Sequence, residues 1–162
     1  MILRARCLLV LLAACPSVVL AQEDTPRAPR KFGVTHTFGF TAGQPLGVSA
    51  SAGVIIGSVP ATRVKCAFSY WSKGAFLQLE PGLGGGKASL GYANSNGMFG
   101  LAAKGSALRT WGKTWGTATR TTYLGPELEL AMFGRVSVGW LWRAGSSRGK
   151  RSMFTWGVGI GF

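Results

Sequence analysis

From Phe32 to Phe162 large apolar residues alternate with small or polar ones, in segments separated by turn-forming residues. Val136, Val138, Trp140 and Trp142 interleave with Arg135, Ser137, Gly139, Leu141 and Arg143. Leu124, Leu128, Leu130 and Met132 interleave with Tyr123, Gly125, Glu127, Glu129 and Ala131, and Phe99, Leu101, Ala103 and Ala107 with Gly100, Ala102, Lys104 and Ser106. A period of two is the mark of a strand with two unlike faces. Eight segments read this way: 32–41, 48–58, 64–71, 75–93, 98–110, 117–132, 135–143 and 152–162. Gly, Pro, Asn and Ser clusters such as AGQPLG, NSNG and AGSSRGKR punctuate them. In 75–93 the phase shifts, with Leu77, Leu79 and Leu83 on odd positions and Ala88, Leu90 and Tyr92 on even ones. Residues 81–86 are either a bulge in one strand or a turn between two. One bent strand keeps the count at eight and is the expectation; a turn gives nine, or eight if 32–41 lies outside the sheet.

The volumes on the two faces decide what each face meets. A soluble barrel or sandwich packs bulky residues inward and sets long polar ones outward. Here the bulky set is one-sided, and the other set is mainly Gly, Ala, Ser and Thr with a few ions, which suits the cramped interior of a small closed barrel. The bulky face then looks at lipid, and closure removes the open edges that hydrocarbon does not tolerate. The fold expected is all-β: a closed antiparallel up-and-down transmembrane β-barrel of eight strands, occupying 32–162. Its inward face carries Lys65, Lys104, Arg135 and Arg143 with Glu80, Glu127 and Glu129, and buried charges require partners, so lumen ion pairs are predicted. At eight strands such pairs act as a structural plug rather than a channel lining. Two aromatic girdles are also predicted: Trp71, Trp111, Trp115, Trp142 and Trp156 toward the outer strand ends, Phe32, Phe99, Phe133 and Phe162 toward the inner ones.

Composition agrees with an apolar surroundings. Charged residues make up only 14% of the chain, where about a quarter is usual for soluble domains. Residues 1–21 place Arg4 and Arg6 before an apolar stretch ending Val-Leu-Ala, the anatomy of a cleaved secretory signal. Within it Leu12-Ala13-Ala14-Cys15 resembles a lipobox, in which Cys15 would be lipidated; apolar residues continue to Ala21, which favours the ordinary signal. Residues 22–31 form a flexible lead-in with two prolines and mixed charges. Removal of the signal leaves Cys66 alone, so no internal disulfide forms, and a small apolar strand residue is its simplest role.

The last segment, SMFTWGVGIGF, puts Phe154, Trp156, Val158, Ile160 and Phe162 on every second position. It resembles the C-terminal signature of bacterial outer-membrane β-barrel proteins, and the whole of 32–162 resembles their small eight-stranded group. The resemblance implies that the outer membrane is the destination, that the barrel-assembly machinery reads this signature, and that the last strand pairs with the first. The chain departs from many such proteins in being basic.

Without Arg4 and Arg6 the mature chain keeps 16 basic against 5 acidic residues, a net charge of +11. Lys73, Arg109, Lys113, Arg120, Arg148, Lys150 and Arg151 are assigned to the outer rim, where lipopolysaccharide phosphates are natural partners for Arg and Lys. Nucleic acid is excluded by the compartment and by the lack of a recognition motif. Catalysis has one His to draw on, His36, which shares its face with Val34, Phe38 and Phe40. Gly84-Gly85-Gly86-Lys87 lacks the spacing and the Ser/Thr of a phosphate loop and reads as a bend. The expectation is a non-enzymatic envelope-structural or surface-interaction protein with no cofactor and no metal, in contact with outer-membrane lipid. A narrow pore for small solutes and a lipid A-modifying enzyme are the alternatives.

Overall fold

Exposure follows the period of two along every strand. The computed structural model describes residues 30–60, 70–97, 99–112, 119–145 and 150–161. The predicted signal segment and the lead-in as far as residue 29 lie outside them. Eight strands run through the described residues: β1 (Arg30–Gln44), β2 (Gly47–Pro60), β3 (Tyr70–Pro81), β4 (Gly85–Gly97), β5 (Phe99–Thr110), β6 (Thr122–Ala131), β7 (Arg135–Ala144) and β8 (Ser152–Gly161). Each pairs antiparallel with its neighbour in chain order, and β1 also pairs with β8, so the sheet closes as an up-and-down barrel. The start of β1 and the finish of β8 mark one mouth, the terminal end. The opposite mouth, the loop end, carries the β1–β2, β3–β4, β5–β6 and β7–β8 connections.

The stretch 75–93 is two strands, not one bent strand. Residues 82–84 turn between β3 and β4, with Leu77 opposite Leu90 and Glu80 opposite Lys87. Cross-strand partners point to the same face. Here each odd position faces an even one, so the outward set must change parity at the turn; this is the phase shift visible in the sequence. Pro81 cannot continue a ladder as a donor, and the turn is closed by Gly82 N–H donating to Gly85 O at 2.8 Å. The count of eight stands because Tyr70 and Trp71 open β3, and the ring passes directly from β2 to β3. The rest of the expected 64–71 strand lies outside the described residues. Residues 32–41 are part of the wall, within β1.

The interior is layered along the barrel. At the loop end Leu46, Leu108, Tyr123, Leu141 and Met153 form an apolar cluster, with Leu46 carried into the mouth by the tight β1–β2 turn. Toward the terminal end Ile55, Phe76, Ala93 and Ala102 form a second. Charged residues occupy the level between them, as the order Leu108, Lys104, Ala102 along β5 shows. The inward face is therefore more apolar at its two ends than the small-and-polar reading of the alternation implies. An eight-stranded barrel has room for side chains and little else. Voids of about 20 Å³ and about 10 Å³ remain inside, each near the size that holds one water.

Candidate functional site

Six inward side chains on five consecutive strands meet at the middle level. Antiparallel pairing sets Glu80 beside Lys87 on β3 and β4, and Lys104 beside Glu127 on β5 and β6. Glu129, two residues along β6, and Arg135 at the start of β7 share the inward parity and complete the set. The contacts form a closed ring of alternating sign. Arg135 Nη2 lies 3.5 Å from Glu80 Oε2, and Glu80 Oε2 lies 3.0 Å from Lys87 Nζ. Lys87 Nζ lies 2.9 Å from Glu127 Oε1, which is 3.1 Å from Lys104 Nζ. Lys104 pairs with Glu129, whose Oε1 returns to Arg135 Nε at 2.9 Å. Every cation touches two carboxylates and every carboxylate two cations, so the ring is neutral.

Several further lone pairs and protons of the ring are met by polar residues of the same face, while Arg135 Nε has its ion-pair contact but no hydrogen bond. Ser49 Oγ donates to Glu80 Oε1 at 2.7 Å, Ser106 Oγ to Glu127 Oε2 at 3.0 Å, and Lys104 Nζ to Gln78 Oε1 at 2.8 Å. Arg135 Nη1 donates to Ser51 Oγ at 2.6 Å, which extends the network to β2. Lys104 Nζ also stands 5.6 Å from the Phe76 ring centre, in cation–π range. Such satisfaction is what makes buried charge tolerable.

Of the predicted lumen residues, Glu80, Lys104, Glu127, Glu129 and Arg135 are brought together. Arg143 has the inward parity and lies half-buried near the loop end of β7. Lys65 lies outside the described residues. Lys87 belongs at the centre of the ring and was not among the expected residues. Its signal was present: with Ala88, Leu90 and Tyr92 outward, position 87 points inward, and the hairpin sets it against Glu80. Reading Gly84 to Lys87 as a bend hid it.

The predicted basic rim divides. Arg109, Arg120, Lys150 and Arg151 are exposed at the loop end. Arg120 has φ 57° and its N–H donates to Thr110 O at 2.8 Å, which fixes the backbone there. Lys73 does not join them. It is exposed on β3 three residues from Tyr70, toward the terminal end, because the turn at 82–84 reverses the direction that a separate 64–71 strand would have given it. Trp71 moves with it, to the end where Phe32, Phe99 and Phe133 lie, while Trp111 and Trp142 are at the loop end. Trp156 lies mid-way along β8, opposite Val138 on one side and Gln44, the last residue of β1 at the loop end, on the other. Lys113, Trp115, Arg148, Cys66 and Phe162 lie outside the described residues. From Arg30 onward the chain holds three acidic residues, all of them in the ring, and the ion pairs they make there are with Lys87, Lys104 and Arg135.

The outer face is apolar. Phe38, Phe40, Leu77, Leu90, Leu128, Trp140 and Val158 all point outward and are exposed, Phe40 and Leu90 at 64% each. His36 stands exposed among them on β1, on the opposite face from the buried Thr37. No protein-family model matches the chain, and neither a curated protein nor a solved structure matches it.

Proposed function

We propose that the protein is an integral outer-membrane β-barrel with a non-enzymatic, envelope-structural or surface-interaction role, whose loop-end cations hold lipopolysaccharide phosphates. The observation that carries this reading is the inverted distribution of residues: apolar side chains encircle the outside, and the ions are neutralised within. In water a monomer exposing that much contiguous apolar surface would associate. In hydrocarbon the same face is at home, and the closed ladder satisfies the backbone. The filled lumen, with its neutral ring between two apolar layers, favours a plug over a solute passage. His36 points outward, and among the described residues its neighbours on that face, Val34, Phe38 and Val54, are apolar, which does not favour the lipid A-modifying alternative.

Arg120, Lys150 and Arg151 supply the phosphate contacts in this reading, each able to donate charge-assisted hydrogen bonds. Replacing all three by Gln is expected to weaken lipopolysaccharide binding by about tenfold, since exposed ion pairs contribute only modestly one by one. Titration of fluorescent lipopolysaccharide into the protein in neutral vesicles checks it. Equal affinity for the parent and the triple variant would remove the rim from the account.

A further inference from the structure

The outer wall holds an open groove of about 510 Å³ lined by residues of β3, β4, β5 and β6. Ala88, Gly105 and Ala107 form its floor, and Leu90, Leu124 and Pro126 its sides. It arises because the outward residues of β5 shrink at mid-strand between Leu101 and Arg109, with Ala88 small beside them on β4, while Leu90, Leu124 and Pro126 stay large around them. A Cβ on Gly105 would meet nothing closer than Leu90 O at 3.8 Å, so the space is open.

The register places a cation at one end of this groove. Successive outward rows are Leu90–Gly105–Pro126, then Ala88–Ala107–Leu124, then Gly86–Arg109–Thr122 toward the loop end. Arg109 is exposed there, and the Trp111 ring leans over Gly86 beside it. An apolar trough that runs into a guanidinium at the proposed membrane interface has the polarity of one class of ligand. We infer that the groove seats a single phosphate-bearing anionic lipid, with one acyl chain along Gly105 and Ala107 and its phosphate on Arg109. Arg suits this position because its fork meets phosphate oxygens two at a time, and Trp111 suits the headgroup level. The volume falls in the range of small-molecule sites, about 300–1,000 Å³. The inference rests on the reading that the outer face lies in lipid.

The test uses the full-length protein in nanodiscs of phosphatidylcholine with a minor share of phosphatidylglycerol of the same chains. Native mass spectrometry after mild detergent release counts the lipid that stays. The parent is expected to retain one phosphatidylglycerol per barrel. Gly105→Leu and, independently, Ala107→Leu fill the trough and are expected to lose it. Ala103→Leu, one outward position outside the groove, is expected to keep it. Arg109→Gln is expected to retain lipid with the preference for phosphatidylglycerol reduced about tenfold. No headgroup preference in the parent, retention unchanged in both filled variants, or loss in Ala103→Leu as well would each overturn the seat. Those outcomes, in protein that still inserts into nanodiscs, leave the membrane reading standing; failure of the parent to insert would sink both.

Discussion

Replacing Glu127 by alanine is expected to lower the stability of the barrel by about 3–5 kcal/mol, the usual cost of leaving buried charge without its partner. Glu127 stands between Lys87 at 2.9 Å and Lys104 at 3.1 Å, and its removal gives the ring a net positive charge where side chains are all but inaccessible. Adding Lys87→Met restores neutrality, so the double variant is expected to unfold at higher urea than Glu127→Ala alone. Urea unfolding in lipid vesicles, followed by tryptophan fluorescence, measures both. A loss under about 1 kcal/mol, as for a solvated surface pair, would mean that water reaches the ring and screens it.

The second large effect belongs to the seam. β1 and β8 are joined by six residue pairs among the described residues, from Gly39–Gly161 to Gln44–Trp156, against fourteen between β1 and β2. The two strands approach closely because glycines line the contact. A Cβ on Gly43 would stand 2.1 Å from Trp156 O, and one on Gly159 would stand 2.0 Å from Phe40 O. Neither obstacle is a side chain that can swing aside. Gly43→Val is therefore expected to cost about 3 kcal/mol or more and to prevent closure in most molecules. The same change at Gly105, where the space is open, is expected to leave the fold intact. Gel mobility before and after boiling compares the two, and a normal heat shift in Gly43→Val would contradict the seam geometry.

Both effects concern features that the sequence revealed unevenly. Alternation within a strand is a local signal, and it placed Glu80, Lys104, Glu127, Glu129 and Arg135 on the inner face correctly. Register between strands is not local. The parity change in 75–93 is the same whether it comes from a bulge or a turn, and only the pairing of Glu80 with Lys87 separates them. A bulge keeps the strand count but turns the barrel's ends around for Trp71 and Lys73, and it leaves Lys87 out of the ring. The apolar layers around Leu108 and Phe76 are not legible in the alternation for a related reason. Inward Leu, Tyr and Phe residues interrupt the small-and-polar pattern one at a time, and they become layers only when the tilted strands bring them to one level. The groove over Gly105 likewise exists only across four strands, β3 to β6.

That the outer face lies in lipid is tested most directly by cell fractionation with electrophoresis of heated and unheated samples. The full-length protein is expected in the outer-membrane fraction, running as a compact band unheated and shifting to its full apparent mass on boiling. A soluble protein with a single, heat-independent mobility would contradict it.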